Sequence, residues 1–218
     1  MTPHYSIELA GAQLWLLAEK AIYYPALRVL MIADAHFGKA AAYRKLGQPV
    51  PHGTTHSNLQ RLDVLLKCYP CECLIFLGDF FHAPGSRAVT TLAALREWRQ
   101  RHENLRVILI RGNHDLRAGD PPIDWQFEVV SEPLLLGPFA LQHEPHEHET
   151  HTVLAGHVHP VYRLNGIGRQ SLRLPCFYLK ERLALLPAFG AFTGGMEIYP
   201  EVGSRIFIVG DGTVWRAQ

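Results

Sequence analysis

The sequence has no apolar run near the ~20 residues that a membrane-crossing helix needs, so neither a spanning helix nor a membrane partner is expected. Its N-terminus lacks a basic stretch followed by an apolar core, and no secretory signal is expected either. Neither sign of charge is in excess: 21 Lys and Arg stand against 20 Asp and Glu, a net of +1. This excludes bulk attraction to a polyanion or an anionic bilayer, but not a local basic groove. Repeats, low-complexity tracts and linker-like stretches are missing from the 218 residues, so one domain over 1–218 is expected. With 48% apolar and 19% charged residues, the composition is that of a folded chain rather than a disordered one.

Cysteine is scarce, at Cys68, Cys71, Cys73 and Cys176. The first three form C-x2-C-x-C, a spacing that raises a zinc or iron–sulfur site. Against that, period-two alternation at the start of an apolar strand would place Cys71 and Cys73 on one face, and Cys176 lies in the strand-like run L-P-C-F-Y-L. Buried reduced thiols of a cytosolic protein are the simpler reading. The residue in surplus is histidine, with 13 side chains able to ligate metal or shuttle protons.

Residues 5–25 read as a small β unit ending at Tyr24-Pro25. R-V-L-M-I-A at 28–33 is a short apolar run of buried-strand length. Leu59, Leu62, Leu65 and Leu66 recur at helical spacing within 54–67, with Thr54 or Thr55 as expected N-cap. Residues 74–77 and 107–110 read as further buried strands, and Leu92, Leu95 and Trp98 share one face of a helix over 89–101. Strand, helix, strand, helix, strand is the signature of a parallel α/β sheet. Short strands follow at 127–130, 134–136, 139–142 and 153–155, then at 172–174, 177–179, 183–186, 205–209 and 213–215. The later set is expected to be antiparallel, with Gly210-Asp211-Gly212 as a tight turn. A β-rich half beside a βαβαβ half suggests two sheets packed face to face with helices outside.

Ligands of open α/β sheets bind beyond the carboxyl ends of strands. Asp34 and His36 follow the run at 29–33, Gly78-Asp79 the run at 74–77, and Arg111-Gly112-Asn113-His114-Asp115 the run at 107–110. His143 follows 139–142, and Gly156-His157-Val158-His159 follows 153–155. Each piece has a mundane reading: an Asp after a strand commonly caps a turn, and His-x-His also occurs in solvated loops. Together those readings require five coincidences at equivalent places in the topology. His143 opens the tract H-E-P-H-E-H-E-T-H, whose His146, His148 and His151 are expected to be solvated.

Imidazole, carboxylate and amide oxygen without thiolate suit Mn, Fe, Zn or similar ions rather than calcium or an iron–sulfur cluster. Asp34, His36, Asp79, Asn113, His143, His157 and His159 are too many for one ion and divide into two sites sharing a carboxylate. Paired ions suit in-line phosphoryl displacement, with a bridging hydroxide as the expected nucleophile. Lys39, Arg44, His82, Arg87 and Arg117 lie just past these strand ends and are candidate phosphate contacts. Arg163, Arg169, Arg173, Lys180 and Arg182 could line a phosphate-tracking groove or form a solvated strand face.

In this order, D-A-H, G-D, G-N-H-D, His143 and G-H-V-H resemble the calcineurin-like metallophosphoesterase superfamily, whose pattern is D-x-H, G-D, G-N-H-[DE], H, G-H-x-H. No element is missing, and the pattern spans 34–159. Further stretches extend the likeness over nearly the whole chain: D-A-H-F-G-K-A-A-A-Y-R, G-Q-P-V-P-H-G-T-T, R-G-N-H-D-L-R-A-G-D-P-P and L-P-A-F-G-A-F-T-G-G. Together they resemble the PdeM group of bacterial ligase-associated DNA damage response endonucleases.

The resemblance implies a four-layer αββα sandwich with two mixed β-sheets packed face to face. It implies two divalent transition-metal ions, manganese first, with zinc or iron as alternatives. One would take Asp34, His36 and His159, the other Asn113, His143 and His157, with Asp79 bridging. His114 would be a catalytic non-ligand protonating the leaving oxygen, oriented by Asp115. It further implies a bacterial cytoplasmic enzyme of DNA repair, working beside an ATP-dependent DNA ligase and a helicase. The chain has no room for the extra capping domain of the superfamily's duplex nucleases, so single strands or strand ends are the expected substrate. Two other functions compete: a phosphoesterase for cyclic nucleotides, dinucleotides or lipid pyrophosphates, and an inactive scaffold of the same fold. The scaffold should have lost ligands, and all seven are present.

Overall fold

The computed structural model describes residues 4–51, 53–168 and 170–217. The chain opens with an antiparallel meander, β1 (His4–Leu9), β2 (Ala12–Leu17), β3 (Ala21–Tyr24) and β4 (Val29–Ala33). From β4 the sheet continues in parallel through β5 (Cys73–Leu77), β6 (Arg106–Ile110) and β7 (Glu128–Val130). The crossings carry α1 (Lys39–Lys45), α2 (Thr54–Cys68), α3 (Val89–Arg101) and α4 (Asp115–Ala118). Both faces of these strands are apolar because both are covered. Val29, Met31, Ala33, Ile75, Leu77, Ile108 and Ile110 point to a core shared with the second sheet. Leu30, Ile32, Leu74, Phe76, Val107 and Leu109 meet Leu59, Leu62 and Leu65 of α2 and Leu95 and Trp98 of α3. Burying a side chain of this size contributes roughly 1.5–3 kcal/mol, so the helix stripes dock α2 and α3 firmly.

The second sheet runs β8 (Leu134–Leu136), β9 (Phe139–Gln142), β10 (Thr152–Ala155), β11 (Pro160–Asn165), β12 (Ser171–Lys180), β13 (Leu183–Leu185) and β14 (Met196–Glu197), with β15 (Arg205–Gly210) and β16 (Thr213–Arg216). Its spatial order is β14-β11-β12-β13-β10-β9-β8, with β15 joined to β12 and β16 to β15. Phe139, Leu141, Leu154, Phe177, Leu179 and Phe207 face the first sheet and close the shared core. The expected pair of mixed sheets packed face to face is therefore the observed architecture. The α-helices described all lie on the first sheet. The outer face of the second carries a smaller cluster around Cys176, Tyr178, Ile206 and Ile208, edged by half-buried Tyr162 and Trp215. None of the described helices is long and apolar enough to cross a membrane.

Several local expectations change. The residue flanking α2 is Gly53 at φ 84°, and neither Thr54 nor Thr55 caps the helix. The Thr55 hydroxyl instead accepts the Gly38 N–H at 3.4 Å, tying α2 to the loop after β4. The runs at 172–174 and 177–179 are one strand, continuous through Pro175. β13 is antiparallel to β12 as expected, yet parallel to β10. The turn at Asp211-Gly212 has positive φ at both residues, as a two-residue hairpin demands.

Cys71 and Cys73 do not share a face. Cys71 precedes β5, so strand alternation does not reach it, and it packs on the helix side with Cys68, while Cys73 enters the core between the sheets. All four cysteines are free. Burial pushes the Cys71 thiol up to about 11 and the Cys176 thiol up to about 12, so both are protonated packing groups. Replacing Cys71 by Ala should therefore lower unfolding stability by about 1 kcal/mol in a urea titration, with bound metal unchanged by elemental analysis. Loss of one stoichiometric ion would restore the cluster reading.

Candidate metal centre

The carboxyl ends of β4, β5 and β6 in one sheet and of β9 and β10 in the other meet at one cleft. Backbone contacts hold the meeting point: Asp34 N–H donates to Gly78 O at 3.2 Å and His36 N–H to Asp79 O at 2.9 Å. His157 N–H donates to both carboxylate oxygens of Asp34, at 3.2 and 3.0 Å, joining the second sheet to the first. Asp34, His36, Asp79, His157 and His159 all have left-handed backbone, with φ between 45° and 67°. Each costs of order 1–2 kcal/mol for a residue with a Cβ, and each turns the chain sharply so that the side chain enters the cleft. Two glycines permit the close approach. A Cβ on Gly156 would lie 2.6 Å from Asp34 Oδ2, and one on Gly112 would lie 2.6 Å from the Asp79 nitrogen.

Asp34, His36, Asp79 and His143 are buried, Asn113, His114 and His159 half-buried, and His157 exposed. The seven donors fall into two groups. His143 Nδ1 lies 3.1 Å from Leu77 O, which a proton on that nitrogen satisfies, and in that tautomer Nε2 turns its lone pair into the cleft. That lone pair faces Asn113 Oδ1 at 2.9 Å, His157 Nδ1 at 3.0 Å and Asp79 Oδ1 at 3.4 Å. His159 Nδ1 lies 3.2 Å from Gly194 O, and its Nε2 faces His36 Nε2 and Asp34 Oδ1, both at 3.3 Å. Asp79 reaches this second group too, with Oδ2 3.7 Å from His36 Nε2. Lone pairs pointed at one another repel, and a cation is what such a set of oxygen and nitrogen donors accommodates. The residues present therefore fit divalent metal ions of the kind that carboxylate and imidazole bind.

Burial acts in opposite senses on the two deep donors. Burial, then the nearby Lys39 charge, drives the His36 pKa far below its ordinary value, so the ring stays neutral. Burial raises Asp79, opposed by His143 and by the His114 N–H, which donates to Asp79 Oδ1 at 2.9 Å. Burial lowers Lys39, opposed by Asp79 and Asp34.

His114 sits at the mouth of the cleft. Its Nδ1 donates to His82 O, its ring stacks on His82 at 4.8 Å, and its Nε2 lies 3.8 Å from Asp79 Oδ2. The expected pairing of Asp115 with this ring is absent. The Asp115 carboxylate accepts the N–H groups of Phe81 at 3.1 Å and Gly112 at 3.0 Å, so it fixes the two ligand loops. Its buried site raises its pKa to about 6. His82 closes the far side, its pKa pulled down to about 4 by burial and then by Lys39.

Among the remaining candidates, Lys39 is buried beside the carboxylates and Arg117 is exposed on α4. Arg44 donates to the carbonyls of Val50 and Pro51, and Arg87 to those of Ala118 and Asp120, so both brace loops. Arg163 and Arg173 meet Glu197, Lys180 meets Glu201, and Arg182 donates to His148 and His151 carbonyls. Arg163, Arg173 and Lys180 lie on strands and are engaged by neighbouring carboxylates, and Arg182, in the turn after β12, holds the 148–151 loop; Arg169 lies outside the described residues. His146, His148 and His151 stay outside the cleft, His146 against Glu144 and His148 against the backbone of 150–151. Sequence reasoning missed the support given by the run A-F-G-A-F-T-G-G. Phe189 N–H donates to Ala33 O at 2.8 Å, Gly190 N–H to Asp34 O at 3.0 Å, and Gly194 O holds His159.

Residues 27–180 match the family described as calcineurin-like phosphoesterase. A solved structure, the crystal structure of Pseudomonas putida nuclease MPE, is similar at 55% identity and a TM-score of 0.87, over 98% of this chain and 99% of that one. No curated protein matches the chain.

The glycine contact generates a test. Gly156→Ala should push Asp34 out of place and weaken Mn2+ binding, read by calorimetric titration, by roughly 10- to 100-fold. Unchanged affinity would remove Asp34 from the donor set.

Proposed function

The chain belongs to the calcineurin-like phosphoesterase family, and on that premise we propose a phosphodiesterase that uses two metal ions to cut single-stranded nucleic acid internally, with DNA as the working substrate in repair. The carrying observation is the convergence of seven facing donors in two groups, with Asp79 turned to both and His114 beside them. Similarity to a nuclease supports the nucleic-acid substrate. Four unpaired cysteines agree with work in a reducing cytoplasm.

Asp34, His36 and His159 would hold one ion and Asn113, His143 and His157 the other, with Asp79 between them. Manganese is the first candidate, because the donors are oxygen and imidazole nitrogen. Bound ions would supply the positive charge that acidifies water and steadies the phosphoryl oxygens. The chain itself supplies aim and proton. His114 has its Nδ1–H directed to the His82 carbonyl, so the charged ring can release a proton only from Nε2, which faces the cleft. Stacking on His82 restrains that ring. Lys39 places a positive charge beside the carboxylates, where a phosphate can meet it.

Protein supplied with Mn2+ should hold about two ions per chain by elemental analysis, and Asp79→Asn should lose both with the activity. His114→Ala should keep both ions while turnover on single-stranded DNA falls by roughly 10²–10⁴. The defect should shrink on bis(p-nitrophenyl) phosphate, whose leaving group needs no proton. A wild-type protein that hydrolyses this ester and cyclic or dinucleotide esters but not DNA would replace the nucleic-acid substrate with a small phosphodiester.

A further inference from the structure

The segment 187–195, P-A-F-G-A-F-T-G-G, carries two phenylalanines with opposite surroundings. Phe189 is buried, with the Arg61 guanidinium 3.9 Å above its ring. Phe192 is 51% exposed and has a φ of 57°. A bulky side chain in the left-handed region is a conformational outlier. Glycine would remove the cost, and the segment already uses it at Gly190, Gly194 and Gly195. An aromatic ring kept in water on unfavourable backbone has no packing reason for its place, and such outliers gather at functional positions.

Its surroundings say what it meets. Phe192 lines a cleft of about 160 Å3 with His159, Pro160, Val161, Pro175 and Lys20. His159 is one of the seven donors, held through its Nδ1 by Gly194 O, two residues from Phe192. The walls mix apolar side chains with exposed backbone, and the basic group is Lys20, whose amine makes one 3.4 Å bond to Gly190 O and has further donors to offer. Burial, then the Arg61 charge, pulls its pKa down to about 7, and an anion beside it favours the charged form. A slot with one exposed ring and one amine, bordered by the donor His159, matches a base with its phosphate. Every nucleobase has a face to stack, and only an unpaired one can leave its neighbours to do so.

Resting on the nucleic-acid reading above, we infer that Phe192 is the stacking platform for an unpaired nucleobase next to the scissile phosphate, with Lys20 meeting the adjoining phosphate. The residue thereby selects single strands over duplex and tolerates any base.

Binding of a fluorescein-labelled single-stranded DNA, followed by anisotropy on metal-free protein, tests this apart from catalysis. Phe192→Ala should weaken binding about 10- to 100-fold, and Phe192→Tyr should restore it. An oligonucleotide with an abasic position at the cleavage site should bind the wild type and Phe192→Ala alike. All three proteins should bind Mn2+ to the same stoichiometry by elemental analysis and unfold at the same temperature, which certifies that they are folded. Unchanged DNA binding by Phe192→Ala, or an equal loss on the abasic strand, overturns the platform. A wild type that hydrolyses bis(p-nitrophenyl) phosphate yet neither binds nor cuts single strands overturns the substrate reading itself, and the platform with it.

Discussion

Electron pairs that face one another in a buried cleft repel, and the architecture around Asp79 is the means of holding them there. Parallel strands bring the donors to one edge, and backbone N–H groups of His157 and His114 offset the charge of Asp34 and Asp79. Left-handed residues turn the side chains inward, and glycines let the loops approach without a Cβ in the way. The strain of five such residues is offset by the two apolar cores on either side of the first sheet. Conformation that would be unfavourable in a free peptide is thus imposed by packing elsewhere.

The cleft also separates its roles by depth. Burial strips the proton from the ring of His36, which touches those of His82 and His114 edge to face at 5.1 Å, whereas the same burial favours a proton on Asp79, opposed by His143 and by the His114 N–H. Toward the mouth, His114 is half exposed. A group that binds metal must stay unprotonated, whereas a group that donates a proton must carry one. On the proposed mechanism, depth and solvent access would divide these opposite duties between neighbouring imidazoles.

Much of this was legible in the sequence. The apolar runs that become β4, β5, β6, β9 and β10 are short, unbroken and followed at once by Asp, Asn or His, so strand ends and donors announced each other. What escaped is what depends on tertiary contact. α1 has an alanine-rich stripe too short to show a period, and β14 is two residues added to the edge of β11. Asp115 follows His114 in the chain, yet its carboxylate turns to backbone N–H groups from another loop, which no spacing reveals. His82 was legible only as a basic residue past a strand; its carbonyl and ring face matter through folding alone. The support from Gly190 and Gly194 comes from residues well past the last donor.

The hydrogen bonds from His157 to Asp34 span 123 residues and two sheets. The first sheet alone carries Asp34, His36, Asp79 and Asn113; the second carries His143, His157 and His159. Of the seven donors, neither sheet by itself assembles either facing group: Asp34 and His36 need His159, and Asn113 needs His143 and His157. A chain still on the ribosome with its first half folded therefore lacks both donor groups as the finished fold assembles them, and they come together only when the second sheet docks and Gly194 O meets His159. The facing donor set is an attribute of the finished tertiary structure, and a nascent or truncated molecule does not hold it.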